Sequence, residues 1–284
     1  MRTSILISCF VVAGSVAVSG CSAPEAANPF GADDFNVALE TQEPGDPDPR
    51  PPGSSNPFNP SCFWNPNVQA AYKLYAQNPL YVDTLGTLPA NTHLSQVSSA
   101  CRSHALKFLA RCALPEGSSM TDPDTNITYN GWLGVANPWK TQALSSDDQK
   151  WVTSCLIAHL NGYGLEVPIL LQGARSELQP TSTQISEFPV TESRAWGNLF
   201  APNFVANVCY FSDLAAACDV EQVVEQRLCG SSPDCSIDIV GNCNSACFYN
   251  SLDGFVQCGS SGQEHVSVRL KNYDRYGSDC EVPE

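Results

Sequence analysis

Basic residues are scarce in this chain. Its 284 residues include 14 lysines and arginines against 29 aspartates and glutamates, and the formal net charge is −15 at pH 7. The basic residues do not form a stripe, and no aromatic motif typical of RNA-binding modules is present. Because a negative surface repels the phosphate backbone, the composition argues against a nucleic-acid partner.

Catalytic signatures are missing as well. The sequence has no G-x-S-x-G, no HExxH and no glycine-rich phosphate loop, so the commonest signals of hydrolases, zinc proteases and nucleotide-binding proteins are absent. Residues 122–133 begin like a calcium-binding EF-hand loop, but Ile127 and Leu133 occupy the positions that require glycine and glutamate. We therefore predict a surface turn in this segment, and no cofactor.

Long apolar runs are absent beyond the N-terminus. Residues 5–18 form an apolar run behind the basic Arg2, and this run is too short to span a bilayer comfortably. Small residues then lead directly into Cys21, and the pattern resembles the lipobox of bacterial lipoproteins. The resemblance implies cleavage before Cys21 and attachment of lipid to that residue. An ordinary secretory signal cut near Ala17 or Gly20 is the alternative.

Cysteine, in contrast, is abundant, with fourteen residues. Cys9 lies in the predicted signal and Cys21 is the predicted lipid site, so an even number of twelve remains, as six disulfides require. Disulfides persist in the oxidising compartments that an exported chain reaches. The disulfide candidates are Cys62, Cys101, Cys112, Cys155, Cys209, Cys218, Cys229, Cys235, Cys243, Cys247, Cys258 and Cys280.

A zinc site is the alternative use of some of these thiols. Cys243 and Cys247 have a spacing that zinc sites use, and Cys229 and Cys235 lie nearby in the sequence. No histidine is close enough in the sequence to complete a Cys/His set, and no pair of CxxC motifs occurs. We therefore predict disulfides and no metal.

Composition divides the exported chain in two. Residues 22–60 contain nine prolines and seven acidic residues, with few large apolar side chains and no periodic pattern, which predicts a disordered acidic tether. The predicted organisation is a signal peptide at 1–20, a lipidated cysteine and tether at 21–60, and a disulfide-stapled folded domain at 61–284.

Helical periodicity dominates the first half of the domain. Apolar residues recur at helical spacing over 67–77 and 94–114, and a capping-box pattern at Ser146 opens a third helix over 146–159. A short strand and turn are predicted at 129–134. The pairings favoured within the helical part are Cys112–Cys155 and Cys62–Cys101.

The second half of the domain changes to the two-residue period of strands. Strands are predicted over 165–172, 204–211, 236–240 and 265–270, and the last places His265 on its polar face. The predicted fold class is therefore α+β and disulfide-rich. Its N-terminal helical part packs on a small, mainly antiparallel sheet.

Several blocks of sequence carry a resemblance to a known group. They are residues 111–117 (RCALPEG), 129–135 (YNGWLGV), 151–161 and 195–200 (AWGNLF). These blocks resemble recurring segments of exported, cysteine-rich lipoproteins of the myxobacterial type. The resemblance covers residues 95–215 and a final strand at 264–269. It implies an exported location and a topology class, but no activity, catalytic residue or ligand.

The remaining candidate chemistry rests on two glutamates and one histidine. Glu187 and Glu192 could serve as a glycosidase-type carboxylate pair, and His265 is the best-placed general base. Nothing in the sequence aligns a water or a nucleophile with them. His104 and His159 fall on apolar helix faces, so we predict that both are packed in the core.

Two functions are consistent with these observations. The favoured one is a surface-tethered binding module for a protein or glycan ligand, and a flat surface bearing Trp132, Trp139 or Trp196 would support it. Those tryptophans are equally suited to the core. The alternative is a secreted, polymer-directed hydrolase that uses Glu187, Glu192 or His265, which a pocket gathering these groups would support. No catalytic residue is assigned, Glu187, Glu192 and His265 are only candidates, and a function other than catalysis is favoured.

The protein is predicted to be exported from the cytoplasm and to be anchored in a membrane by its lipid. The lipid on Cys21 would make the membrane itself a partner of the protein. Ser22 follows the cysteine, and it is not the aspartate that retains lipoproteins at the inner membrane in the enterobacterial rule. The outer membrane is therefore preferred over the inner membrane.

Overall fold

The computed structural model describes residues 53–54, 58–250, 255–259 and 264–280. The predicted signal peptide, Cys21 and most of the predicted tether lie outside the described residues. Within the described residues, no helix combines the length and the apolar character that crossing a membrane requires.

Helices and strands are mixed along the described chain. The helices are α1 (Pro60–Phe63), α2 (Pro66–Ala76), α3 (Ser99–Ala113), α4 (Ser146–His159), α5 (Ser182–Glu187), α6 (Ser212–Ala217), α7 (Val220–Cys229) and α8 (Cys243–Ala246). The strands are β1 (Gly53–Ser54), β2 (Ser119–Thr121), β3 (Thr128–Asn130), β4 (Ile169–Gln172), β5 (Val190–Asn198), β6 (Val205–Tyr210), β7 (Asp238–Asn242), β8 (Cys247–Asn250), β9 (Phe255–Cys258) and β10 (His265–Leu270). Short 3₁₀ turns lie at Leu94–Gln96, Asn137–Lys140, Ser176–Leu178 and Asp274–Cys280.

A six-stranded sheet lies at the centre of the domain, in the order β1-β4-β10-β5-β6-β7. Its neighbouring strands are antiparallel except β6 and β7, which run parallel. The hairpins β2–β3 and β8–β9 form two further small sheets. The α+β class with disulfides and a mainly antiparallel sheet is confirmed.

Helix α4 packs across the middle of this sheet, against β5 and β10, and α3 packs on α4. Because α4 has neighbours on both sides, every residue from Trp151 to His159 is buried. The sheet presents Val266, Val268 and Ala195 to α4, and all three are fully buried. These residues alternate with polar neighbours, so the period-two pattern places the apolar side chains on one face.

Short polar caps set the starts of α3 and α4. The predicted helix at 94–114 is interrupted, because residues 94–96 form only a 3₁₀ turn and α3 begins after its cap Ser98. Helix α4 has the predicted bounds, but its cap is Ser145 and not Ser146, since the Ser145 hydroxyl accepts a hydrogen bond from the Asp148 N–H at 3.1 Å. A serine at this position satisfies a donor that the first turn leaves unpaired.

The predicted strands are present with shifted ends, and β10 has the predicted bounds. The strand predicted over 165–172 is shorter, because β4 begins after Pro168, which has no N–H to offer to a ladder. The turn predicted at 129–134 follows β3. The sequence patterns missed β5, although it is the longest described strand and lies in the centre of the sheet.

The fold begins before residue 61. Strand β1 pairs with β4, and the side chain of Phe58 is fully buried. The Phe58 N–H donates to the carbonyl of His159 at 2.9 Å, and its ring stacks on Phe108 with centroids 4.8 Å apart. A single aromatic residue among prolines has no periodicity, so composition alone could not separate it from the tether.

All twelve predicted disulfide cysteines are paired. Cys112–Cys155 joins α3 to α4 and Cys62–Cys101 joins α1 to α3, so the two favoured pairings are confirmed. The other bridges are Cys209–Cys243, Cys218–Cys280, Cys229–Cys235 and Cys247–Cys258. The cysteines considered as zinc ligands therefore bond to sulfur and offer no thiolate.

The disulfides predict a graded loss of stability. The variant Cys112→Ala/Cys155→Ala opens a bridge with a sequence separation of 43 residues, and the chain-entropy model gives a loss of about 4 kcal/mol. The variant Cys229→Ala/Cys235→Ala opens a separation of only 6 residues and should lose about 2 kcal/mol. Urea unfolding of the oxidised proteins measures both values, and a larger loss for the second pair would contradict the prediction.

Candidate functional site

Glu192 lies at a β-bulge in β5. The register between β5 and β10 shifts between Val268 and Arg269, and Glu192 is the residue that has no partner on β10. A bulge re-aims the side chains around it. Glu192 and the following Ser193 consequently both contact the same buried arginine, Arg227.

Two arginines and a tyrosine surround the Glu192 carboxylate. The Arg275 Nη1 atom is 3.3 Å and the Arg227 Nη2 atom 3.5 Å from Oε2, and the Tyr276 hydroxyl donates to Oε1 at 2.6 Å. Burial by itself would raise the pKa of Glu192, but the two guanidinium groups and the hydrogen bonds from Tyr276 and Ser193 hold that pKa below its usual value. Glu192 is a fixed anion at neutral pH and is poorly suited to proton transfer.

The same two arginines bind the end of α4. Arg227 Nη1 donates to the carbonyl of Leu160 at 2.9 Å, and Arg275 Nη2 donates to the carbonyl of Ala158 at 2.9 Å. Carbonyl groups at a helix C-terminus lack intrahelical partners and carry partial negative charge. The cluster therefore fastens α7 and the C-terminal 3₁₀ turns to α4 and β5, which is a structural role.

The predicted catalytic groups do not meet. Glu187 is exposed in the last turn of α5, so it does not lie in extended chain beside Glu192. Glu192 contacts the core on the α4 side of the sheet. His265 lies on the opposite face, because its neighbour Val266 is the residue that faces α4. The glycosidase-type carboxylate pair and the general base thus occupy separate environments.

His265 belongs to a block of four side chains on the face of the sheet that points away from α4. The register places His265 opposite Trp196 and Ser267 opposite Arg194. Directly opposite residues share a face, and so do residues two apart on a strand. We call Arg194, Trp196, His265 and Ser267 the polar block.

The polar block is mostly buried, so the predicted polar face of β10 is not exposed to solvent. His265 is 6% exposed and Ser267 is 6% exposed. The Arg194 Nε group donates to the Ser267 hydroxyl at 3.1 Å, and the guanidinium lies 5.0 Å from the centroid of the Phe211 ring. Burial and the nearby charge of Arg194 lower the pKa of His265 to about 4, so this imidazole is neutral at pH 7.

A cleft of 600 Å³ separates α7 from β7. Helix α7 forms the wall of the cleft and β7 forms its floor. The helix contributes residues four positions apart, and the strand contributes every second residue, so each set lies on one face of its element. The lining residues that show this are Glu221, Glu225 and Cys229 on the helix and Ile237, Ile239 and Gly241 along the strand. No basic residue of the described part of the chain lines the cleft, and we call it the acidic cleft.

Two groups of side chains resemble metal sites, but a disulfide engages the first and an ion pair with an arginine engages the second. Cys112, Cys155 and His159 bring their ligand atoms within 4.8 Å of one another, but the cysteines form a disulfide. The His159 Nδ1–H donates to the carbonyl of Cys155 at 2.8 Å, and burial lowers the pKa of His159 to about 3. His159 is therefore a packed core residue, as predicted. At the EF-hand-like segment, Asp122 is buried and accepts from Arg102 Nε at 2.6 Å.

The tryptophans do not form an aromatic surface. Trp139 and Trp196 are buried, and Trp132 is partly buried beneath the guanidinium of Arg111, 5.6 Å from the ring. The packing of Trp139 and Trp196 agrees with the core alternative.

Comparison with known proteins assigns no family to this fold. No family model matches the chain, and no curated protein or solved structure matches it.

The Glu192 cluster predicts a specific acid dependence. Glu192→Gln should lose about 3–5 kcal/mol at pH 7, because two buried guanidinium groups remain without their counter-charge. Since the folded pKa of Glu192 lies below its usual value, the stabilisation is complete at neutral pH and is lost as the pH falls below the ordinary glutamate range. The gap in unfolding free energy between the native chain and the variant should therefore narrow in acid.

Denaturant unfolding across this pH range measures the gap. The matched control is Glu187→Gln, which removes an exposed carboxylate and should change stability by less than about 0.5 kcal/mol. A gap that is independent of pH would contradict the role given to the Glu192 charge.

Proposed function

We propose that this protein is an exported, lipid-anchored binding module whose ligand-contacting surface is the acidic cleft. The lipobox-like sequence at Cys21 supports lipid attachment, and the acidic tether behind it would hold the domain away from the membrane. The six disulfides suit an oxidising compartment. The resemblance to myxobacterial-type lipoproteins supports export, and the residue Ser22 favours the outer membrane.

The shape and charge of the acidic cleft carry this proposal. Its volume of 600 Å³ lies in the range that small ligands and peptide side chains fill. Glu221 and Glu225 are exposed and four residues apart on α7, which is about 6 Å along the helix axis. Ile237 and Ile239 contribute apolar side chains to the strand side of the cleft, which forms its floor.

A basic, extended peptide segment of a partner protein fits this combination. Strand β7 is the outermost strand at its end of the described sheet, with β6 as its neighbour. An edge strand can add an extended peptide through backbone hydrogen bonds. Lysine or arginine side chains of that peptide would pair with Glu221 and Glu225, while alternate apolar side chains contact the floor. A neutral glycan would leave the two carboxylates unused.

A peptide-binding measurement tests the proposal. The probe is a fluorescein-labelled peptide with alternating lysine and valine, and its polarisation is followed at low salt against the purified full chain. The variant Glu221→Gln/Glu225→Gln should bind about tenfold more weakly, because each exposed ion pair contributes up to about 1 kcal/mol. Glu177→Gln removes an exposed carboxylate on the 3₁₀ turn Ser176–Leu178, away from α7, and should leave the affinity unchanged.

Two results of the peptide measurement would contradict the role proposed for the acidic cleft. If Glu177→Gln weakens binding as much as the cleft variant, the peptide senses only the net charge of −15. If a matched peptide of alternating glutamate and valine binds equally well, charge complementarity is excluded.

The lipid anchor predicts labelling at a single cysteine. Cells that produce the full chain are grown with a fatty acid that carries a clickable alkyne, and the label is read after electrophoresis. Cys21→Ser should abolish labelling and release the protein from the membrane fraction. Cys9→Ser, which changes the predicted signal, should leave both properties intact. Retained labelling in the Cys21 variant would refute lipidation at that residue.

A further inference from the structure

The arginines of the described domain differ in their partners. Arg102, Arg175, Arg227 and Arg275 each lie within ion-pair distance of an aspartate or glutamate. Arg194 has no such carboxylate among the described residues, although acidic residues outnumber basic ones by 29 to 14 in the chain. Arg269 also lacks a carboxylate there, but its Nε, Nη1 and Nη2 groups all donate hydrogen bonds to oxygen atoms of residues 188–191.

The polar block also holds hydrogen-bonding groups that have no partner among the described residues. Only the Nε group of Arg194 is engaged, by Ser267, so both of its Nη groups lack a hydrogen-bond partner in the described part of the chain. The Trp196 Nε1–H has no acceptor there either. His265 Nδ1 is buried without a partner, and the whole residue is more than nine-tenths buried.

This arrangement is costly for the free protein. Taking a guanidinium partly out of water without a carboxylate disfavours its charge, and burial accordingly lowers the pKa of Arg194. The Phe211 ring and the Ser267 hydroxyl contact the guanidinium and position it against the sheet. A bound anion would supply the missing acceptors.

We propose that the polar block is a binding site for an oxyanion, the carboxylate or phosphate group of a small ligand. The two Nη groups of Arg194 bind the oxyanion in the bidentate manner that suits planar guanidinium. Trp196 and His265 contribute neutral N–H donors from the facing strand positions, and Ser267 positions Arg194. The site lies on the sheet face opposite α4, so it is independent of the acidic cleft.

Histidine NMR tests this site without any substitution. The chain has four histidines, and their imidazole signals are followed while inorganic phosphate or acetate replaces chloride at constant ionic strength and pH. The His265 signal should move saturably, while the signals of His93, His104 and His159 remain in place. Saturation by phosphate alone or by acetate alone supports the site and identifies the group that it prefers. Absence of a saturable His265 shift with either anion overturns the proposal.

Two variants locate the site. Arg194→Gln should weaken anion binding by about tenfold or more, and Trp196→Phe by about fivefold, because they remove charged and neutral hydrogen bonds respectively. Lys271→Gln, which removes an exposed cation just after β10, should bind as the native chain does. Equal affinity of the native chain and both block variants overturns the assignment.

Two further measurements test the thermal stability of the Arg194 variant and the independence of this site from the acidic cleft. Arg194→Gln removes an unpaired cation, so its melting temperature without phosphate should equal or exceed that of the native chain. Should this variant nevertheless fail to fold, Trp196→Phe and the His265 signal still decide the outcome. Glu221→Gln/Glu225→Gln should bind the anion normally, which separates failure of this site from failure of the acidic cleft.

Discussion

The Glu192 carboxylate is buried between guanidinium groups that come from distant parts of the chain. Arg227 lies in the last turn of α7 and Arg275 in the C-terminal 3₁₀ turns, and both also bind carbonyls at the end of α4. Each charge is costly to remove from water, and the cost is offset only when all partners are in place. The α7 wall of the acidic cleft is therefore held in position by a contact made inside the core.

Strand β5 connects this core cluster to the polar block on the other side of the sheet. The bulge at Glu192 turns two consecutive residues toward the core, and Arg194 then points to the opposite face. On that face a small apolar cluster forms around Trp196 and the bridges Cys209–Cys243 and Cys247–Cys258. Covalent bridges can hold such a layer with little apolar burial. The domain can thus retain unpaired donors on a face that a large hydrophobic core would have filled.

Sequence patterns predicted the parts of the fold whose signals are local. The clean alternation of β10 gave its bounds, and the periodicity of α4 gave its length. Strand β5 has Thr191, Glu192 and Ser193 in succession, and the bulge breaks the period, so no alternation marked the central strand. The burial of Glu192 was equally invisible, because its partner Arg275 is 83 residues away. The polar block depends on register between β5 and β10, which no local pattern encodes.

The two candidate sites differ in what their charges cost the folded chain. Glu221 and Glu225 are exposed and solvated, so carboxylates of this kind persist on a surface without any ligand. The polar block is different, because Arg194 is half-buried and lacks a carboxylate among the described residues, while His265 is held neutral beside it. The buried Arg102, Arg227 and Arg275 are each matched by an acidic group. An acidic chain that could readily supply a carboxylate at this position, and instead leaves its guanidinium open, has the electrostatics expected of a site completed by an anion from outside.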